Sequence, residues 1–289
     1  MRHADAKFGF SERVGRGLHL AFCAAVFVFL VAPMLVVIPL SFNAEPYFTF
    51  TEGMLRLDSD AYSLRWYRNV LEDGDWRRAL GNSILIGVAA TAIATTLGVL
   101  AALGLANPAM PGRGFVTSLL ISPMVTPLII SAAGMFFFYS NLGLGQTHLG
   151  LILAHAVLGT PFVVISVTAT LAGFDNNLVR AGESLGGGPF LVFRRIQLPL
   201  IAPGVISGAL FAFAVSFDEV VTVLFLGGLG QRTVPRQMWT GIREQISPEI
   251  LAVATFLVVF ALLLLGAVEW LRGRGGASAS GADKSTQAY

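Results

Sequence analysis

The chain has 289 residues, of which 55% are hydrophobic and 12% charged, with a formal net charge of +2 and a mean hydropathy of +0.72. Soluble domains carry about 25% charged residues, so a chain at half that level has lipid as its main solvent, and so small a net charge offers no nucleic-acid surface. The single cysteine, Cys23, lies inside an apolar run, which excludes an intrachain disulfide framework and a cysteine-based metal site.

Six runs are long enough to cross a bilayer: residues 18–42, 84–106, 115–140, 149–171, 198–226 and 250–270. A spanning helix needs ~20 mostly apolar residues, so the expected fold is all-α, a polytopic membrane protein of six transmembrane helices. The first run follows Arg2, Lys7, Arg13 and Arg16 as a secretory signal would, but its 25 residues exceed the ~7–15 of a signal core, so a retained helix is expected. An even number of spans puts both termini on one side. With that side as the cytoplasm, eleven basic residues lie inside and eight outside, and five of the eight share one loop with seven acids. The short cytoplasmic turns carry the clearer excess.

Between the first two runs, Leu64, Tyr67, Val70 and Leu71 recur at helical spacing, which predicts an amphipathic helix leading into the second run, packed on the bundle or presented to an external partner. Asn82 and Ser83 are expected to cap the second run, with path lining as the alternative. Pro123 and Pro127 are expected to kink or break the third. His155, in the fourth, is expected to make a helix–helix hydrogen bond. Ser247-Pro248-Glu249 reads as the start of the last helix. Glu269 beside Trp270 and Arg272 reads as an interface anchor, and the Gly-, Ala- and Ser-rich tail from Gly273 as disordered. The chain shows no internal repeat, which gives an ion-coupled transporter built of inverted repeats no support. No catalytic constellation is legible, and no enzymatic chemistry is expected.

Residues 180–199, RAGESLGGGPFLVFRRIQLP, interrupt this apolar chain between the fourth and fifth runs. Asp175 and Asn176 can cap a helix from about Asn177, with Leu178, Ala181, Gly182 and Leu185 on one side. Gly186-Gly187-Gly188-Pro189 must end it. A second short helix over 190–196 is expected, exposing Phe190 and Phe193 near Arg194 and Arg195, with Pro199 opening the fifth run. Such a pair suits either a groove on another protein or the headgroup layer. A phosphate loop is excluded, because no Lys-Ser/Thr follows the glycines.

This segment resembles the cytoplasmic motif of permeases in ATP-binding-cassette importers: Glu-Ala-Ala, three residues, Gly, nine residues, Ile, any residue, Leu-Pro. Gly186, Ile196, Gln197, Leu198 and Pro199 match it, whereas Arg180-Ala181-Gly182 stands where Glu-Ala-Ala is expected. The resemblance implies a coupling helix that docks into a cleft of a cytoplasmic ATPase, through Arg180, Ala181, Gly182, Glu183, Leu185, Gly186, Phe190, Phe193, Arg194, Ile196, Leu198 and Pro199. An arginine cannot repeat the polar contacts of the family glutamate, and Glu183 is the candidate substitute.

SLRWYRNVL, GNSILIG, SFDEVVTVLFLGG and PRQMWTGIREQISPEI are similar to the spermidine/putrescine group of these permeases, which also includes permeases for iron, phosphonates, thiamine and opines. The resemblance implies half of an import path across a bacterial inner membrane, with no cofactor in this chain. Its partners would be two copies of an ATPase that binds ATP and magnesium, a second similar permease and a periplasmic solute-binding protein. Residues 1–17 would be a cytoplasmic segment, 18–272 the transmembrane domain with its coupling segment at 175–196, and 273–289 a cytoplasmic tail.

Asp218 and Glu219 lie seven to eight residues before the end of the fifth run, ~10 Å below its outer end at 1.5 Å per residue. A carboxylate inside a span costs ~2.5–3.5 kcal/mol and commonly faces a polar path or partner. Successive helical residues diverge by ~100°, so Asp218 shares a face with Phe211 and Thr222, and Glu219 with Ser216. An acid beside aromatics suits an amine-bearing cargo. The alternative is pairing with an arginine or hydroxyl of the second permease.

Overall fold

The computed structural model describes residues 10–244 and 247–266; the Glu269–Trp270–Arg272 anchor and the tail lie outside them. Among the described residues, regular structure is helical apart from one antiparallel bridge between Asn43 and Tyr62. The chain forms two compact units, Met1–Val70 with Ile246–Val258, and Leu71–Gln245 with Val259–Tyr289.

In the first unit, α1 (Phe10–Leu40) is an apolar helix of spanning length whose side chains are mostly exposed, Leu40 at its end being buried. The loop after it is organised by Asn43, which is fully buried. Its Nδ2 donates to the carbonyls of Tyr47 and Thr49, both at 3.1 Å, and its Oδ1 accepts the Glu45 N–H at 2.9 Å. After the short α2 (Glu52–Leu55) comes α3 (Arg65–Glu72), the expected amphipathic helix.

The buried face of α3 differs from the expected one. Leu64 and Leu71 remain exposed, and Trp66 is the buried residue, its indole N–H donating to the Asn43 carbonyl at 2.8 Å. A tryptophan buries more area than a leucine and needs an acceptor for its N–H; the Asn43 carbonyl supplies one. The last helix, Glu249–Gly266, starts as its sequence implies, with Ser247 Oγ accepting the Glu249 N–H at 3.3 Å.

In the second unit, the Asp73 carboxylate accepts the N–H groups of Asp75 (2.7 Å) and Trp76 (2.9 Å) and starts α4 (Gly74–Ala106), ahead of the apolar run. α5 (Arg113–Val125) and α6 (Leu128–Asn141) are bent by 105°. Pro127 forces Thr126 into extended backbone, ψ 133, because a residue before proline is disfavoured in the helical region. Pro123 stays inside α5. α7 (His148–Leu171) follows, its Thr147 cap accepting the Gly150 N–H at 3.0 Å. Among the described residues, five helices are long and apolar enough to cross a membrane, six if α5 and α6 count as one span.

After α8 (Asn177–Ser184) and α9 (Pro189–Val192) comes α10 (Leu198–Asp218). α4, α7 and α10 pack against one another around Ala90, Ala94, Ala102, Val163, Val167, Ile201 and Ala212. Their backbones approach closely at Val163: a Cβ on Gly98 of α4 would lie 2.6 Å from Val163 Cβ, and one on Gly208 of α10 would lie 2.8 Å from Val163 Cα. Small residues at such crossings allow close packing where lipid gives helices no hydrophobic reason to associate.

The fifth run is not one helix. α10 ends at Asp218, Glu219 is extended (ψ 120), and α11 (Val221–Leu226) turns away to pack on α6 and α7. α12 (Val234–Glu244) then packs on α4. Asn82 and Ser83 sit inside α4 and do not cap it. Asn82 Nδ2 donates to the carbonyls of Gly230 (2.9 Å) and Arg232 (2.8 Å), its Oδ1 pairs with His148 Nε2 (3.0 Å), and Ser83 Oγ accepts the Val234 N–H (2.9 Å). The starts of α4 and α7 therefore meet the segment after α11 at one end of the bundle. The α7–α10 connection lies at the other.

Candidate functional site

The α7–α10 connection is a folded element. Asp175 Oδ1 accepts the Asn177 N–H at 2.9 Å and opens α8; Asn176 makes no side-chain cap bond, so only the first of the two expected caps is used. α8 closes with the Gly187 N–H donating to the Gly182 carbonyl (3.0 Å) and the Gly186 N–H to the Glu183 carbonyl (2.9 Å). This crossed pair of bonds ends a helix when the intervening residue is left-handed, and Gly186 has φ +83. The glycine at the motif position is thus a conformational requirement. Pro189 stands in the first turn of α9, where its missing N–H costs nothing.

Beyond α9 the chain differs from expectation. Residues 190–196 are not a separate helix: α9 passes through a π-helical turn, Phe193–Gln197, into α10, and Pro189–Asp218 is one helical run of 30 residues. Pro199 offers no N–H to the carbonyl of Arg195 and its ring crowds that carbonyl. The wide turn, in which the Leu198 N–H reaches the Phe193 carbonyl, absorbs the defect. Phe193 is half-buried and packs on the core with Leu198, and so does not face outward with Phe190. Gly182 is also turned inward: it is buried, and a Cβ there would lie 2.6 Å from Ile196 Cδ1 and 3.2 Å from Val192 Cγ2.

What remains outside is an apolar stripe flanked by charge. Leu178, Ala181, Leu185 (90% exposed) and Phe190 (74% exposed) face outward, with Arg180, Glu183, Arg194 and Pro199 exposed about them. Side chains this apolar and this bare need a cover.

At the far end of α10 the two acids separate. Asp218 is exposed on the last turn, two turns from Phe211, which is also exposed. Glu219 is buried, and its Oε1 accepts the Thr222 N–H at 2.7 Å. Thr222 is buried completely and, because of the break, does not share a helical face with Asp218. Asp218 therefore ends its helix, where the sequence placed it two turns inside a continuous one. Ser216 is buried and pairs through Oγ with His155 Nδ1 at 2.8 Å, the helix–helix bond expected of this histidine.

Sequence reasoning missed Arg236. Its Nη1 donates to the carbonyls of Gly228 (2.9 Å) and Val223 (3.2 Å). Burial first, and the neighbouring Arg232 second, hold its guanidinium below the usual arginine range. The Gln146 N–H closes the same turn by donating to the Leu226 carbonyl at 2.8 Å. The amphipathic pattern of PRQMWTGIRE marks a helix there, but nothing local points to these carbonyls.

A family model described as "Binding-protein-dependent transport system inner membrane component" matches residues 94–274. The spermidine/putrescine transport system permease protein PotC of Shigella flexneri is 29% identical over 268 residues, 91% of this chain and 98% of that one. The putrescine transport system permease protein PotI of Escherichia coli K12 is 32% identical over 251 residues, 84% of this chain and 86% of that one. Among solved structures, a bacterial transporter that imports the acidic polysaccharide alginate superposes with a TM-score of 0.71 at 14% identity, over 91% of this chain and 98% of its own. At that identity the likeness concerns the fold alone.

Proposed function

Since the chain belongs to the family of binding-protein-dependent transport system inner membrane components, we propose that it forms half of the path of an ATP-driven importer for small organic cations of the polyamine class. The single observation behind the cargo is similarity along nearly the whole chain to permeases named for spermidine and putrescine. Asp218, exposed beside the Phe211 face, adds chemistry suited to an amine: a carboxylate for the charge and an aromatic for cation–π contact.

In this reading the stripe Leu178–Ala181–Leu185–Phe190 docks on a cytoplasmic ATPase, and both termini are cytoplasmic. Two ATPase copies bind ATP and magnesium, a second permease of the same family completes the path, and a periplasmic binding protein delivers cargo at the Asn82–His148–Arg232 end. Arg180 meets the ATPase where the family motif has glutamate, so the partner surface there differs in charge, or Glu183 takes the polar contacts.

The test is uptake into proteoliposomes holding the complete importer with its binding protein outside. Labelled putrescine or spermidine should enter only when ATP is inside. Uptake driven by an ion gradient without ATP would refute the importer reading, and a binding protein that takes an oxyanion or sugar but no amine would refute the cargo.

A further inference from the structure

We infer that Glu219 is a positioning residue that holds the outer turn of the path in place, and that it does not ligand cargo beside Asp218. The inference rests on the permease reading. Glu219 both ends α10, through its extended backbone, and starts α11, by accepting the Thr222 N–H at 2.7 Å. One residue therefore sets the angle between the path helix and the segment that folds back on α6.

The segment beyond it is tied at successive points. Arg236 holds the carbonyls of Val223 and Gly228, the Gln146 N–H holds that of Leu226, and Asn82 holds those of Gly230 and Arg232. On the near side, Ser216, one turn before Glu219, is fixed to α7 by His155. His155, Ser216, Glu219 and Thr222 are all buried, so these two polar pairs are shielded where Asp218 is open.

Thr222 needs an acceptor, and a backbone N–H does not need that acceptor to be charged. A cargo ligand would need the charge. Glu219→Gln keeps the acceptor oxygen and removes the charge, whereas Glu219→Leu removes both.

The experiment uses the full importer in proteoliposomes with labelled spermidine, and hydrogen exchange on the same assembled preparations. Glu219→Gln should leave KM within about twofold of the parent and exchange at residues 221–226 unchanged. Glu219→Leu should speed that exchange and lower kcat about tenfold with little change in KM, the effect of losing one buried hydrogen bond. A KM raised as much by Glu219→Gln as by Asp218→Asn would make Glu219 a cargo ligand and overturn the inference, while leaving the importer reading intact. If the parent imports no amine, the cargo reading fails and the exchange pattern still decides Glu219: exchange equally slow in all three proteins overturns its positioning role.

Discussion

A Cβ on Gly182 would stand 2.6 Å from Cδ1 of Ile196, the far end of a flexible side chain, so a slightly larger residue at 182 moves Ile196 before it moves the backbone of α8. Gly182 is buried at that contact, which packs α8 and its apolar stripe on the turn that leads into α10, and the family alanine fits the same place once Ile196 gives way. Gly182→Ala should therefore be tolerated at about 1 kcal/mol or less, with Ile196 changing rotamer, whereas Gly182→Leu should push α8 off that turn at the ~1–3 kcal/mol typical of overpacking. Reduced co-purification of the ATPase, with the permease still inserted, is the expected result for Gly182→Leu.

Gly186 makes a second demand on the same element. At φ +83 it occupies backbone space that an L side chain enters at a cost, so Gly186→Ala should lose about 1 kcal/mol. Asparagine tolerates the left-handed region better than alanine, and Gly186→Asn should lose less. Thermal unfolding of the detergent-solubilised importer, comparing the two variants, checks the order.

Asp218 should control cargo affinity. Removing its charge by Asp218→Asn should raise KM for a dication about tenfold or more, the loss of one charge-assisted contact, with ATPase assembly unchanged. Uptake kinetics across amines of different charge make the check. A KM shift that does not grow with cargo charge would assign Asp218 to something other than cargo.

His155 and Ser216 should behave as one unit. Ser216→Ala leaves a buried ring nitrogen without its partner, at about 1–3 kcal/mol. His155→Leu combined with Ser216→Ala should cost less than the two separate losses added together, because residues sharing one bond are not additive. A double-mutant cycle on thermal stability measures the coupling.

Much of this architecture is local and could be read from the sequence. Pro127 breaks the third apolar run as its chemistry dictates, Ser247 starts the last helix, and the fourth run, expected at 149–171, is found at His148–Leu171. The family motif located the connection at 175–196. What could not be read is set by distant partners. Asn82 finds its acceptors 148 and 150 residues along the chain, so no window around GNSILIG could distinguish it from a cap. The break after Asp218 carries neither glycine nor proline: VSFDEVVTV is apolar on both sides, Glu219 turns extended, and its side chain starts a new helix by bonding the backbone three residues ahead. Pro199 misled in the opposite sense, because the π-helical turn carries the helix past a residue that ordinarily begins one.

That turn changes what the docking element can do at a distance. Pro189–Asp218 is a single helix of 30 residues, within which Pro203 lies without ending it, and at 1.5 Å per residue it is about 45 Å long. The exposed Phe190 stands near one end of this rod and Asp218 at the other. By the same geometry a tilt of roughly 10° about the Phe190 end would sweep the Asp218 end through an arc of about 8 Å. A displacement at Phe190 would therefore reach Asp218 with no helix in between having to melt.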